Sequence, residues 1–76
     1  MDSIVDAGNV RNGVDLAEAA RQLQQAAHDM RVAFDCIGLD ELDRAHTHTL
    51  TARAAADAAE EILRVALGGD PPRPGA

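Results

Sequence analysis

The chain has 76 residues, of which 46% are apolar and only one is aromatic. This length predicts one small domain, and because much of the apolar fraction is alanine, its core must be thin. A single cysteine excludes an internal disulfide, and chains below about 70–80 residues seldom obtain more than about 3–5 kcal/mol from one core. We therefore expect a partner subunit to add stability.

The net charge is −6, and all seven basic residues are arginine. An acidic chain without a basic stripe is poorly suited to phosphate backbones or anionic lipid, so we expect no nucleic acid and no membrane partner. No apolar run approaches the length of a membrane span, and no signal-peptide pattern is present. Together with the lone cysteine, which fits a reducing compartment, this composition predicts a cytoplasmic protein.

Residues 1–14 contain Gly8, Asn9, Asn12 and Gly13 among few large apolar side chains. This segment is predicted to be a flexible N-terminal arm. A short docked strand or helical turn over residues 3–7 is the alternative.

From residue 16 onwards, apolar residues recur at alternating spacings of four and three, which predicts a first helix over about 16–37. The members of this stripe are Leu16, Ala20, Leu23, Ala27, Met30, Phe34 and Ile37. Asp15 is the expected N-cap, with Glu18 completing a capping box. Gly38 is the expected left-handed residue that ends the helix.

The second helix is predicted over about 41–67, with Asp40 as its N-cap and Gly68-Gly69 ending it. Its apolar stripe consists of Leu42, Ala45, Thr49, Ala52, Ala56, Ala59, Leu63 and Ala66. The short connection makes the helices antiparallel neighbours, with the two stripes facing each other. The predicted fold is therefore all-α, an antiparallel two-helix hairpin over residues 15–67, followed by a disordered Pro/Gly tail at 68–76.

One flank of this hairpin is predicted to be an interface, because it is lined mainly by small apolar residues. Its residues are Ala26, Ala33, His48, Ala55, Ala58, Ile62 and Val65. Docking two such flanks would assemble a four-helix bundle. The alternative is that these alanines serve helix propensity at the surface.

No metal, cofactor or catalytic site is predicted. His46 and His48 are two residues apart and point about 200° apart on a helix, and His28 does not converge with them. Cys36 follows Asp35 in the last turn of the first helix, where the negative helix end disfavours a thiolate. His48, at the edge of the predicted interface, is the histidine whose protonation would make assembly depend on pH.

The sequence resembles two known protein families in part. The segment Gly38-Leu39-Asp40-Glu41-Leu42 resembles the Gly-Leu-Asp-Ser-Leu core of acyl carrier proteins, but Glu41 replaces the serine that carries phosphopantetheine. An acidic hairpin with a glycine at its turn is also similar in shape to the small WxG-turn proteins exported by type VII secretion systems. Here Cys36 occupies the tryptophan position, and the C-terminal tyrosine of the export motif is absent.

These observations predict a non-enzymatic helical protein that self-associates or docks on partner helices as an adaptor, accessory subunit or regulator. A homodimer is the favoured assembly, and a helical protein partner is the alternative. A secreted protein like the type VII substrates, or an obligate small subunit of a larger enzyme or phage assembly, are the alternative functions.

Overall fold

The computed structural model describes residues 10–11 and 13–68, and within them the chain is a two-helix hairpin. The elements are β1 (Val10–Arg11), β2 (Val14–Asp15), α1 (Leu16–Gly38) and α2 (Leu42–Ala66). The all-α hairpin prediction is thus confirmed, with helix bounds within one residue of those expected. The remainder of the predicted arm, including residues 3–7, and the tail beyond residue 68 lie outside the described residues.

A short antiparallel ribbon precedes the hairpin. Val10 is opposite Asp15 and Arg11 is opposite Val14, and Gly13 in the connection has a φ of +76°. The predicted arm over residues 1–14 therefore contains paired strands where it approaches α1. The sequence carried a signal for this ribbon, because Asn-Gly between two β-forming residues is the strongest short-range indication of a two-residue β-hairpin.

Asp15 ends the ribbon and caps α1, as predicted. Its carboxylate accepts hydrogen bonds from the backbone N–H groups of Ala17 at 2.9 Å and Glu18 at 3.3 Å. The carboxylate of Glu18 accepts from the side chains of Arg21 and Gln22. Hydrogen bonds from Gln22 and Arg21 hold the pKa of Glu18 below its ordinary value.

The connection between the helices differs from the prediction by two residues. Gly38 is the last residue of α1, and Asp40, with a φ of +60°, is the left-handed residue. The N–H of Glu41 donates to the carbonyl of Cys36 at 2.8 Å, and that of Asp40 donates to Ile37 at 3.0 Å. These two bonds form a Schellman motif around Asp40, which satisfies the carbonyl groups that end α1, and aspartate tolerates the left-handed conformation.

Because Asp40 ends α1, it is not the N-cap of α2. Glu41 occupies that position and makes no side-chain capping bond; its carboxylate accepts from Arg44 at 2.7 Å. At the other end, Gly68 has a φ of +92° and donates to the carbonyl of Val65 at 2.9 Å. The glycine stop predicted after α2 is therefore present at Gly68.

The two helices pack through a seam of alanines, which we call the alanine seam. These residues are all 6% exposed or less and comprise Ala19, Ala26, Ala33 and Cys36 of α1 and Ala45, Ala52, Ala55, Ala59 and Ala66 of α2. Small side chains on both sides allow the helix backbones to approach closely, since separation depends on the side chains at the contact. The core of the hairpin therefore contains no large side chain among the described residues.

The predicted facing of the two apolar stripes is wrong for α1 and right for half of the α2 stripe, whose Ala45, Ala52, Ala59 and Ala66 lie in the seam. Leu23 is 48% exposed and Phe34 is 71% exposed, although both belong to the stripe that was expected to pack against α2. The alanines and the large residues of α1 share a seven-residue period and lie only about 40–60° apart around the helix. Spacing alone cannot choose between such neighbouring stripes, and the hairpin closes on the smaller side chains.

Candidate docking surface

The large apolar side chains lie together on one broad side of the hairpin, which we call the apolar face. Helical spacing places them beside the alanine seam, where they are 40–75% exposed. They are Leu23, Met30, Phe34 and Ile37 of α1 and Leu42, Leu63 and Leu67 at the two ends of α2. The stripe predicted for α1 thus lies mostly on the outer surface, where Leu42, Thr49, Ala56 and Leu63 of the α2 stripe accompany it.

The apolar face has a groove at the open end of the hairpin, where α1 begins and α2 ends. The groove has a volume of about 570 Å³, and Leu23, Ala56, Leu63 and Leu67 line it beside the buried Ala59. A row of apolar walls over an alanine floor is the shape that accepts a protruding side chain from another helix.

A second part of the apolar surface lies at the turn end of the hairpin. Phe34, Ile37 and Leu39 there surround a shallow depression of about 530 Å³, and each of the three side chains is more than 60% exposed. The face therefore has an apolar depression of similar volume at each end.

The middle of the apolar face is small and uncharged. Ala27 and Ala56 are exposed there, and the hydroxyl of Thr49 donates to the carbonyl of Ala45 at 2.8 Å. Because that hydroxyl is satisfied within its own helix, Thr49 contributes its methyl group to the surface without an unpaired polar atom. A second helix can therefore cover this region without desolvating a charge.

Ion pairs of mixed sign border the face. Arg31 Nε lies 3.7 Å from Asp35 Oδ1 along α1, and Arg64 Nε lies 3.2 Å from Glu60 Oε2 along α2. Each of these two pairs carries no net charge. An apolar centre with a polar border is the usual anatomy of a protein interface.

The outer side of α2 provides a contrast. Leu50 is 50% exposed there, and its helical neighbours are His46, Arg53 and Asp57. A single exposed leucine among polar residues is ordinary and needs no partner. The apolar face differs because its large members follow one another along α1 and continue onto both ends of α2.

The structure corrects the predicted interface. Ala26, Ala33 and Ala55 are 2–6% exposed within one hairpin, so the opposite helix already covers them. A residue buried this way has no surface left for another molecule, so these three residues belong to the contact within the hairpin.

The other three apolar residues of the predicted interface lie on the second broad side of the hairpin. Ala58, Ile62 and Val65 are half-buried there and line a groove of about 420 Å³ with Val14 of the ribbon and Glu18. Two acidic residues, Glu18 and Glu61, line this groove, whereas the charged residues that line the groove of the apolar face, Glu60 and Arg64, pair with each other.

His48, the last member of the predicted interface, bonds within the hairpin. Its Nδ1 lies 2.9 Å from Oδ1 of Asp29, whose Oδ2 accepts from Nε2 of Gln25 at 2.7 Å. Hydrogen bonds from Gln25 and His48 hold the pKa of Asp29 below its ordinary value, outweighing the burial that would raise it. An ionised carboxylate only accepts hydrogen bonds, so Nδ1 of His48 carries the proton in this contact.

Asp29 is 4% exposed and is the buried charged residue of the described chain. Asp29 was not among the site residues predicted from the sequence, although its position three residues after Ala26 and seven before Cys36 places it on the same stripe as the seam. A charged residue at such a position signals a buried polar contact only once the alanine stripe is identified as the contact surface.

The described residues contain no group of three or more metal-ligating side chains. Over the same residues, neither helix is long and apolar enough to cross a membrane. No family model matches the chain, and no curated protein or solved structure matches it at a significant level.

Proposed function

We propose that this chain is a non-enzymatic helix-docking module that acts in the cytoplasm as an adaptor, accessory subunit or regulator. Its apolar face receives two further helices and completes a four-helix bundle. The observation that supports the proposal is the row of seven large apolar side chains exposed along one side of the hairpin. Two antiparallel helices side by side present the width that a second helix pair covers.

The size of the face supports a stable contact. The exposed fractions of the seven side chains correspond to about four fully exposed side chains, and burying each contributes about 1.5–3 kcal/mol, or about 6–12 kcal/mol for the face. The free energy of unfolding of a typical domain is about 5–15 kcal/mol. Covering this surface would therefore contribute a free energy comparable to the free energy of unfolding of a whole domain. The seam of the hairpin itself buries mainly alanine side chains.

The charge of the chain favours a protein as the docking partner. At a net charge of −6 the chain repels phosphate backbones and anionic lipid, whereas the border of the apolar face pairs acidic with basic side chains. The lone Cys36 is buried in the seam, which agrees with a protein that needs no disulfide.

Affinity capture of proteins that bind the tagged chain in the organism's own cells tests the proposal. Two matched variants are compared with the wild-type chain. Phe34→Glu places a charge on the apolar face at the turn end of the hairpin. Leu50→Glu places the same charge on the outer side of α2. Two differently tagged copies of the chain report self-association, and mass spectrometry identifies any other companion. We expect a companion that wild type and Leu50→Glu retain and Phe34→Glu loses.

Equal capture by all three chains would contradict the proposal, because the companion would then bind elsewhere. Absence of any companion from the wild-type sample, in a preparation where the chain is folded, would contradict it as well.

A further inference from the structure

We infer that the helices covering the apolar face belong to a second copy of this chain, which lies antiparallel to the first. This inference rests on the proposed function and names the partner at the same surface. Three features of the face support it: its area when doubled, the order of its large and small side chains, and the charge at its border.

A two-fold interface buries the same face twice, because each copy contributes an identical patch. The exposed large side chains of one face amount to about 250–500 Å² of apolar surface, and two faces to about 500–1,000 Å². Homodimer interfaces are about 65% apolar, so the total buried area would be about 750–1,500 Å². This range spans the threshold of about 1,000 Å² for a biological interface.

The apolar stripe on α1 is complementary to the same stripe on a second α1 that runs antiparallel to it. When a second α1 lies antiparallel on the first, with the two-fold axis level with residues 28 and 29, Ile37 and Met30 oppose alanines and Leu23 opposes Phe34. The opposing pairs are Ala20 with Ile37, Leu23 with Phe34 and Ala27 with Met30. Large-against-small pairing allows two surfaces to interdigitate without overlap.

The shape of the face agrees with this arrangement. Phe34, 71% exposed at the turn end, would meet the groove of about 570 Å³ beside Leu23 at the open end of the other copy. The two-fold axis makes this contact twice. If the turn ends met each other instead, Phe34 of each copy would lie opposite Leu42 of the other and would not reach the groove beside Leu23.

The border of the face permits self-association despite the acidic chain. The Arg31–Asp35 and Glu60–Arg64 pairs each sum to zero charge, so two copies that meet there do not bring like-charged margins together.

Sedimentation of the purified full chain tests the choice of partner. Across roughly 1–200 µM we expect wild type and Leu50→Glu to reach twice the 8.0 kDa of one chain. Phe34→Glu should raise the dissociation constant at least about tenfold, since the buried glutamate would lack a partner. Circular dichroism checks that each variant is helical, and Phe34→Ala replaces Phe34→Glu if that variant does not fold.

A wild-type chain that is helical and monomeric at the highest concentration would overturn the inference. The proposed function would survive that result if capture from cells still yielded a different protein that Phe34→Glu loses. A dimer that Phe34→Glu and Phe34→Ala leave unchanged would overturn the inference too, because the copies would then meet through another surface.

Disulfide trapping tests the orientation, in chains whose native cysteine is removed by Cys36→Ala. Mixing the Leu23→Cys and Phe34→Cys chains under mild oxidation should link them faster than either links to a Leu50→Cys control. The opposite orientation, with turn end on turn end, would instead link Phe34→Cys to Leu42→Cys. That pattern would overturn the antiparallel arrangement while leaving the dimer in place.

Discussion

Enlarging one alanine of the seam should weaken the hairpin strongly. Ala26 is 2% exposed at the middle of α1, so the three carbon atoms that Ala26→Leu adds must push α2 away or adopt a strained rotamer. Inserting bulk into a closely packed contact costs about 1–3 kcal/mol. Leucine and alanine differ little in helix propensity, so nearly all of the loss would come from packing.

Thermal unfolding followed by circular dichroism measures this effect. For a domain of this size, 1 kcal/mol corresponds to about 4–8 °C, so we expect Ala26→Leu to lower Tm by about 4–24 °C. The matched control is Ala54→Leu, because Ala54 is exposed on α2 and a surface change should stay within about 0.5 kcal/mol. All chains are compared at one concentration, since self-association makes Tm depend on it.

Equal Tm values for the Ala26→Leu and Ala54→Leu chains would refute the reasoning. A leucine at a buried alanine contact should destabilise the hairpin more than a leucine at an exposed position. A larger loss for Ala54→Leu would show that the helices meet through a different side of α2.

Three further outcomes follow from the connection and from the buried polar contact. Gly38→Ala should raise stability by about 0.4–1 kcal/mol in urea unfolding, because Gly38 is helical and a Cβ there meets nothing within 4 Å; a loss would mean that Gly38 is left-handed after all. Asp40→Ala should lower stability by about 1–2 kcal/mol while Asp40→Gly does not, since Asp40 has a φ of +60°; equal urea midpoints for the two variants would contradict this. The lowered pKa of Asp29 means that its ionised form stabilises the hairpin above the unfolded-state pKa, near pH 4, and that this contribution is lost as the pH falls through the folded-state pKa. Urea midpoints between pH 5 and pH 2 should therefore fall less steeply in Asp29→Asn than in wild type, and parallel curves would contradict the assignment.

Local signals along the chain predicted the elements well. Asp15 as a cap, the long seven-residue period and the glycine after α2 depend on neighbours within one or two helical turns, so they can be identified without the rest of the fold. The Asn12-Gly13 dipeptide is a signal of the same kind, and the prediction of an arm overlooked it.

The left-handed residue of the turn could not be predicted from neighbouring residues alone. Both Gly38 and Asp40 can adopt a left-handed conformation, and glycine is the better candidate by propensity. The structure uses Asp40, because the hydrogen bonds from Asp40 and Glu41 to Ile37 and Cys36 satisfy the end of α1 from that position.

The assignment of faces required the packed structure, and the candidate docking surface depends on that assignment. Periodicity established that each helix carries apolar residues every seven positions, but alanine and leucine stripes with one period run side by side on α1. Which stripe closes the hairpin is settled by how closely two backbones approach and by the Asp29–His48 contact between them. Residue order thus determined two helices and their antiparallel pairing, whereas contact between residues far apart in the chain turned the alanines inward and left Phe34 and its neighbours outside.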